Sequence, residues 1–159
     1  MAEYLHGIAV AARGVPVTLL ISLVAVTGGL VIGLFVAIAK RSKFKVLRAL
    51  ATIYVDVLRG TPLLVQVLIL AYGVPQLIRE IFDVQFNWEH MIIVGFIACG
   101  INSSAYMAEI IRSGLQAIDI GQTEAARSLG LNSRQTMRYI IVPQAFKIIV
   151  PALGNEFVT

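Results

Sequence analysis

The chain has 159 residues, 58% of them hydrophobic and 14% charged, with a formal net charge of +4 and a mean hydropathy of +0.83. Soluble domains carry roughly 25% charged residues, and here the charges are also segregated: residues 14–39, 60–78 and 90–108 hold no Lys, Arg, Asp or Glu. A bilayer core is crossed by about 20 apolar residues of helix, so the pattern excludes a water-soluble enzyme and a disordered tail.

In chain order, Met1 to Ala12 lacks the basic start of a secretory signal, and the apolar run after Arg13 is too long for one, so the first segment is expected to be retained. The first span is predicted over residues 17–39. Gly29 and Gly33 within it are four apart, a spacing that lets helices approach closely in lipid. Five cations and no acid follow in residues 40–48, and basic loops mark the cytoplasmic side, which places the amino terminus outside. Residues 46–58 mix apolar and polar positions and suit a helix at the inner interface, with Asp56 and Arg59 expected as an interfacial ion pair. After the turn at Gly60-Thr61-Pro62, a second span is predicted over residues 62–78. Arg79, Glu80, Asp83 and Glu89, with Trp88 beside them, read as an outer loop.

The third span is predicted over residues 91–111, followed by an inner loop over residues 112–147 that carries Arg112, Arg127, Arg134, Arg138 and Lys147. A fourth span is expected to start at Ile148. The twelve residues from there to Thr159 are too few to cross, so the sequence reads as an amino-terminal fragment. The fold class is all-α, a multi-span transmembrane helical bundle forming a single domain. Cys99, the one cysteine, cannot form an intrachain disulfide and reads as a small apolar filler. His6 and His90 have no partner set at metal-ligand spacing, so no metal is expected.

Within the inner loop, residues 119–145 predict a short helix, a glycine stop and a second helix. Glu124 is placed near the first helix's start, where an anion is favoured, and Gly130 takes the left-handed conformation that ends it. Asn132 or Ser133 caps the next helix, with Gln135 able to reach back to Asn132. Ala125, Ala126 and Leu129 beside Arg127 form a low apolar surface suited to close contact with a partner.

Glu124-Ala125-Ala126, Gly130, Ile140 and Pro143 match the Glu-Ala-Ala-x3-Gly-x9-Ile-x-Leu-Pro signature and so resemble the permease subunits of bacterial ABC importers, with Val142 at the usual Leu. The stretches Arg59 to Gln66, Ser104 to Arg112 and Pro151 to Phe157 resemble the polar amino-acid uptake branch, of histidine, glutamine or arginine type. The resemblance implies a five-span permease in a bacterial inner membrane, with its amino terminus outside. It further implies a cytoplasmic ABC ATPase dimer, a second permease subunit, identical or related, and an external amino-acid-binding protein. Glu124, Ala125, Ala126, Arg127 and Gly130 are thereby implied to couple the chain to the ATPase. ATP belongs to that partner, since no Gly-x4-Gly-Lys-Ser/Thr loop occurs here. No cofactor and no catalytic residue are expected in this chain.

Polar residues at membrane depth mark candidate substrate contacts, because ionisable groups there avoid lipid. Asn102, Tyr106 and Glu109 share one helix face. Glu109 has two readings, a carboxylate on the substrate path or an i,i+3 partner of Arg112. Asn155 and Glu156 likewise either contact substrate or tie spans together.

Residues 126–138 also resemble a helix-turn-helix, with Arg127, Arg134 and Arg138 available for phosphates. The reading helix would run into Pro143 and an apolar segment, so no nucleic acid is expected as partner. A secondary transporter is the remaining alternative, although such proteins usually enclose a path within one longer chain.

Overall fold

The computed structural model describes residues 2–158, with the side chains of Ala2, Glu3, Leu5, His6, Ile8, Ala9, Phe157 and Val158 left out. The metal assignment at His6 and the end of the 151–157 stretch lie outside the described side chains. Among the described residues every regular element is helical. Helix α1 (Ala2–Lys40) is followed by α2 (Lys45–Gly60), α3 (Leu63–Leu68), α4 (Val74–Phe82), α5 (Met91–Gln116), α6 (Ile120–Ser128), α7 (Ser133–Thr136) and α8 (Val142–Val158). Four stretches are long and apolar enough to cross a membrane: Val10–Lys40, Leu63–Phe82, Met91–Gln116 and Ser133–Glu156.

The core is the carboxy-terminal half of α5 against α1. Lipid tails are as apolar as leucine, so helices in a bilayer are joined by close packing more than by water exclusion. On α1 the buried positions Ala25, Gly29, Gly33 and Ala37 recur every fourth residue and form one small-residue stripe. A β-carbon added at Gly29 would stand 2.9 Å from Ser103 Cβ, and one at Gly33 would stand 2.7 Å from Met107 Cβ and 2.8 Å from Ser104 O. The facing Ser104, Ala105, Met107 and Ala108 are fully buried. The contact predicted from the spacing of Gly29 and Gly33 is therefore present and extends a turn further each way.

Two π-helical turns, Ile69–Gly73 and Met137–Ile141, join α3 to α4 and α7 to α8 into continuous helices. Each ends two residues before a proline, Pro75 or Pro143. Proline lacks the N–H for the helix ladder and crowds the carbonyl four residues back; a wider turn relieves that clash. Val74 N–H donates to Ile69 O in the π register. The next donor in that register would be Pro75, which has none to give Leu70. The indole of Trp88 supplies the missing donor, with Nε1 2.7 Å from Leu70 O.

Two expectations change. The fourth long helix begins at Ser133 rather than near Ile148, because the Asn132 cap and the π turn carry the helix through Pro143 without a break. The segment between the third and fourth long helices thus narrows to residues 117–132. Helix α2 was expected flat at an interface, yet it packs lengthwise along α5, with Ala51 and Val55 buried. Tyr54 Oη lies 2.6 Å from Ser104 Oγ, and Leu58 O faces Asn102 near the middle of α5.

Candidate functional site

Two regions carry the predicted site residues: the short helix α6 and a cavity beside α5. Both ends of α6 are fixed by local hydrogen bonds. At its start Asp119 accepts from Gly121 N at 2.7 Å, so Asp119 is the capping anion, and Glu124 sits mid-helix with its side chain exposed. At its end Gly130 has φ +85°, Gly130 N donates to Arg127 O and Leu131 N donates to Ala126 O. This is the paired 5→2 and 6→1 pattern of a Schellman stop, which a residue with a β-carbon fits poorly.

The following helix opens with a full capping box. Gln135 N donates to Asn132 Oδ1 at 3.0 Å, and Asn132 N donates to Gln135 Oε1 at 2.9 Å. Arg127 Nη1 donates to Ser133 Oγ across the turn, and Gln144 Nε2 donates to Gln122 Oε1 at 3.1 Å, tying α6 to α8.

Of the predicted coupling residues, Glu124, Ala125, Arg127 and Gly130 are exposed. Ala126 is 4% exposed and faces the chain itself. Its small side chain lets α6 lie close to its own support, and it is not on the outward surface. Leu129 at 81% and Ile120 at 73% exposure stand out from the arm instead. Ile120 was not singled out in the sequence, although an apolar residue directly after a cap and outside any span is a readable signal.

The cavity has a volume of about 420 Å³ and is lined by residues of α1, α3, α5 and α8, with Ser22, Cys99, Asn102, Ser103, Tyr106 and Glu156 on its walls. Asn102 and Glu156, two of the four substrate-path candidates, meet there. Asn155 is exposed and does not line it. Glu109 lies apart, between Lys40 Nζ at 3.2 Å and Arg112, whose Nε is 2.9 Å from Glu109 Oε2. The i,i+3 pairing is present, and Lys40 adds a bond between α1 and α5. Arg59 does not pair with Asp56 among the described residues; its guanidinium lies 5.3 Å from the centre of the Tyr106 ring, and its charge attracts Glu156.

Membrane-length helices around a cavity with a few polar groups on its walls, with one capped helix held outward, define a helical bundle of the permease type. The chain belongs to the binding-protein-dependent transport system inner membrane component family, whose model matches residues 29–159. It is 43% identical over 143 residues to a probable amino-acid ABC transporter permease protein, YckA, of Bacillus subtilis, covering 90% of this chain and 60% of that one. It is 43% identical to a putative glutamine transport system permease protein, GlnP, of Rickettsia prowazekii, covering 92% of this chain and 64% of that one. An arginine transport system permease protein, ArtQ, of Bacillus subtilis is 40% identical, with 92% and 64% covered. The chain thus spans about three fifths of the length of these relatives. Among solved structures, the crystal structure of an amino acid ABC transporter with histidines matches with a TM-score of 0.80 and 45% identity, covering 94% of this chain and 70% of that one.

Proposed function

We propose that this chain belongs to the permease subunit of an ATP-driven importer of polar amino acids, and that α6 is the element through which a separate ATPase dimer moves it. The carrying observation is the build of α6: a helix held by caps at both ends, with Glu124, Ala125, Arg127 and Leu129 facing out. Such a helix can be pushed by a partner without losing its own shape. Gly130 and the inward-facing Ala126 set its position, and the outward residues make the contact. ATP stays on the partner. A second permease subunit and an external amino-acid-binding protein complete the assembly, in a bacterial inner membrane with the amino terminus outside.

The cavity suits a zwitterion, since Asn102 and Glu156 bring hydrogen-bonding and anionic groups into a largely apolar space. Relatives carrying glutamine and arginine transport in their names support the substrate class. Docking drives transport only if the α6 contact differs in strength between the outward and inward states, because equal contacts shift no population.

The test uses the full-length chain reconstituted with its ATPase and binding protein. Uptake of one labelled amino acid should depend on ATP and be competed by other polar amino acids. Failure of arginine, histidine, glutamine and glutamate alike to be taken up or to compete would reject the substrate class. Uptake persisting with an inactive ATPase would reject the coupling role.

A further inference from the structure

A helix interrupted within a membrane must satisfy the backbone groups that the interruption exposes, because hydrocarbon offers no hydrogen bonds. The interruption between α2 and α3, Gly60-Thr61-Pro62, lies beside Asn102, well inside α5. One side chain answers most of its needs. Gln66 Nε2 donates to Leu58 O at 2.9 Å, to Thr61 Oγ1 at 2.9 Å and to Thr61 O at 3.2 Å. Its Oε1 accepts from Asn102 Nδ2 at 3.2 Å. Thr61 Oγ1 donates onward to Val57 O at 2.9 Å, closing the last turn of α2.

Arg59 stands between the carbonyl of Leu58 and the interruption. Its guanidinium covers the ring of Tyr106 and attracts Glu156, both of which line the cavity. Where Arg59 stands therefore depends on where the end of α2 is held; Gln66 holds it at 2.9 Å from Leu58 O, and Asn102 Nδ2 adds a longer bond to the same oxygen at 3.5 Å.

We propose that Gln66 is a positioning residue of the transport path: bonded to Asn102, it latches the α2–α3 interruption to α5 and so fixes Arg59 against the cavity wall. The proposal rests on the permease reading above. Asn102 contributes to the path through Gln66, in addition to lining the cavity. The latch joins two side-chain amides to each other and to backbone carbonyls and carries no net charge, so it can part and re-form as α2 and α5 shift without stranding an ion in hydrocarbon.

Cys99 lines the same cavity and serves as a native reporter. In the complete transporter in lipid nanodiscs, the rate of Cys99 labelling by N-ethylmaleimide is followed by the mass of its peptide. The variants are Gln66→Leu, Asn102→Leu and the double variant, with Gln66→Asn as a milder polar change that is one methylene too short. Each single leucine variant should raise the labelling rate at least about fivefold, the population change expected for loss of the one bond both share, Gln66 Oε1 to Asn102 Nδ2. The double variant should add little to either, since both break the same latch. Gln66→Asn should shift the rate in the same direction, which preserves the test if a leucine variant fails to assemble. ATP-driven uptake should fall in step with the labelling change in every variant, including Gln66→Asn, which keeps an amide at the interruption and should lower the thermal unfolding of the complex less than Gln66→Leu. Additive effects of Gln66→Leu and Asn102→Leu, or an unchanged labelling rate in Gln66→Asn and the leucine variants, would overturn the latch. Labelling needs no substrate, so it judges the latch even if the wild-type complex takes up no polar amino acid, a result that would overturn the substrate class alone.

Discussion

Gly29 and Gly33 on α1, and Ala125 and Gly130 at α6, are all small residues, but the first two are buried against α5 and the second two are exposed. In the α1–α5 seam, small size lets two stretches of this chain touch backbone to side chain, and burial fixes the geometry. In α6 the geometry is fixed by Asp119, by the Gly130 stop and by the Asn132–Gln135 box, with little burial beyond Ala126. An element held by local hydrogen bonds keeps its outer face free for another molecule. Changes in the seam should therefore cost stability, and changes in the arm should cost coupling.

The largest effect is expected in the seam. Gly33→Leu forces a side chain into the space of Met107 Cβ and Ser104 O, and overpacking of this kind should destabilise by about 3 kcal/mol. Gly28→Leu is the matched control, because nothing lies within 4 Å of its added β-carbon. Thermal unfolding of the purified full-length protein in detergent reads both; equal losses would remove the case for a close seam. In the arm, Gly130→Val places a β-branched residue at φ +85°, straining the stop by about 2 kcal/mol. Transport should drop up to roughly thirtyfold, the effect of about 2 kcal/mol on a barrier, while membrane insertion stays normal. Gly130→Asn should be milder, since asparagine tolerates the left-handed region. Normal uptake by the valine variant would break the contrast between the two regions.

Between these regions stands the Glu109 ion cluster, which joins the end of α1 to α5. Glu109→Gln leaves Lys40 and Arg112 without their shared anion, whereas Lys40→Gln leaves the Arg112 pair intact. The first should cost about 1 kcal/mol and the second less, because the groups are partly exposed and solvent screens them. The reverse order in unfolding measurements would mean that Arg112, and not Lys40, is the dispensable partner.

Much of this was legible in the sequence. Gly130 announced a helix stop and the Asn132–Gln135 spacing announced a capping box, because each needs only local backbone geometry; the spacing of Gly29 and Gly33 announced a close-packing face on α1 but not its partner on α5. Glu124 was misplaced as the helix's leading anion because Asp119, five residues earlier, is the better cap; helix starts are set by side-chain reach that composition does not show. The π turns were not legible at all, so Pro143 suggested a stop where the structure widens and continues. The depth of Arg59, the reach of Gln66 to Asn102 and the Lys40–Glu109 bond join residues at least 36 apart or depend on such joins. They follow from how α2 leans on α5, which no spacing within either helix encodes.

The finest comparison, a difference between two costs of about 1 kcal/mol or less, tests whether a proline explains a tryptophan. Trp88→Phe removes the donor to Leu70 O and should cost about 1 kcal/mol for the lost bond. If Leu70 O needs the indole because Pro75 has no N–H, then Pro75→Ala, by restoring a backbone donor in that register, should make Trp88→Phe cheaper. The double-mutant cycle isolates this coupling from the loss of ring area, which is the same in both backgrounds. A Trp88→Phe cost that is independent of residue 75 would mean that the indole is held by its edge contact with Phe86, 5.2 Å between ring centres, and that its bond to the helix is incidental.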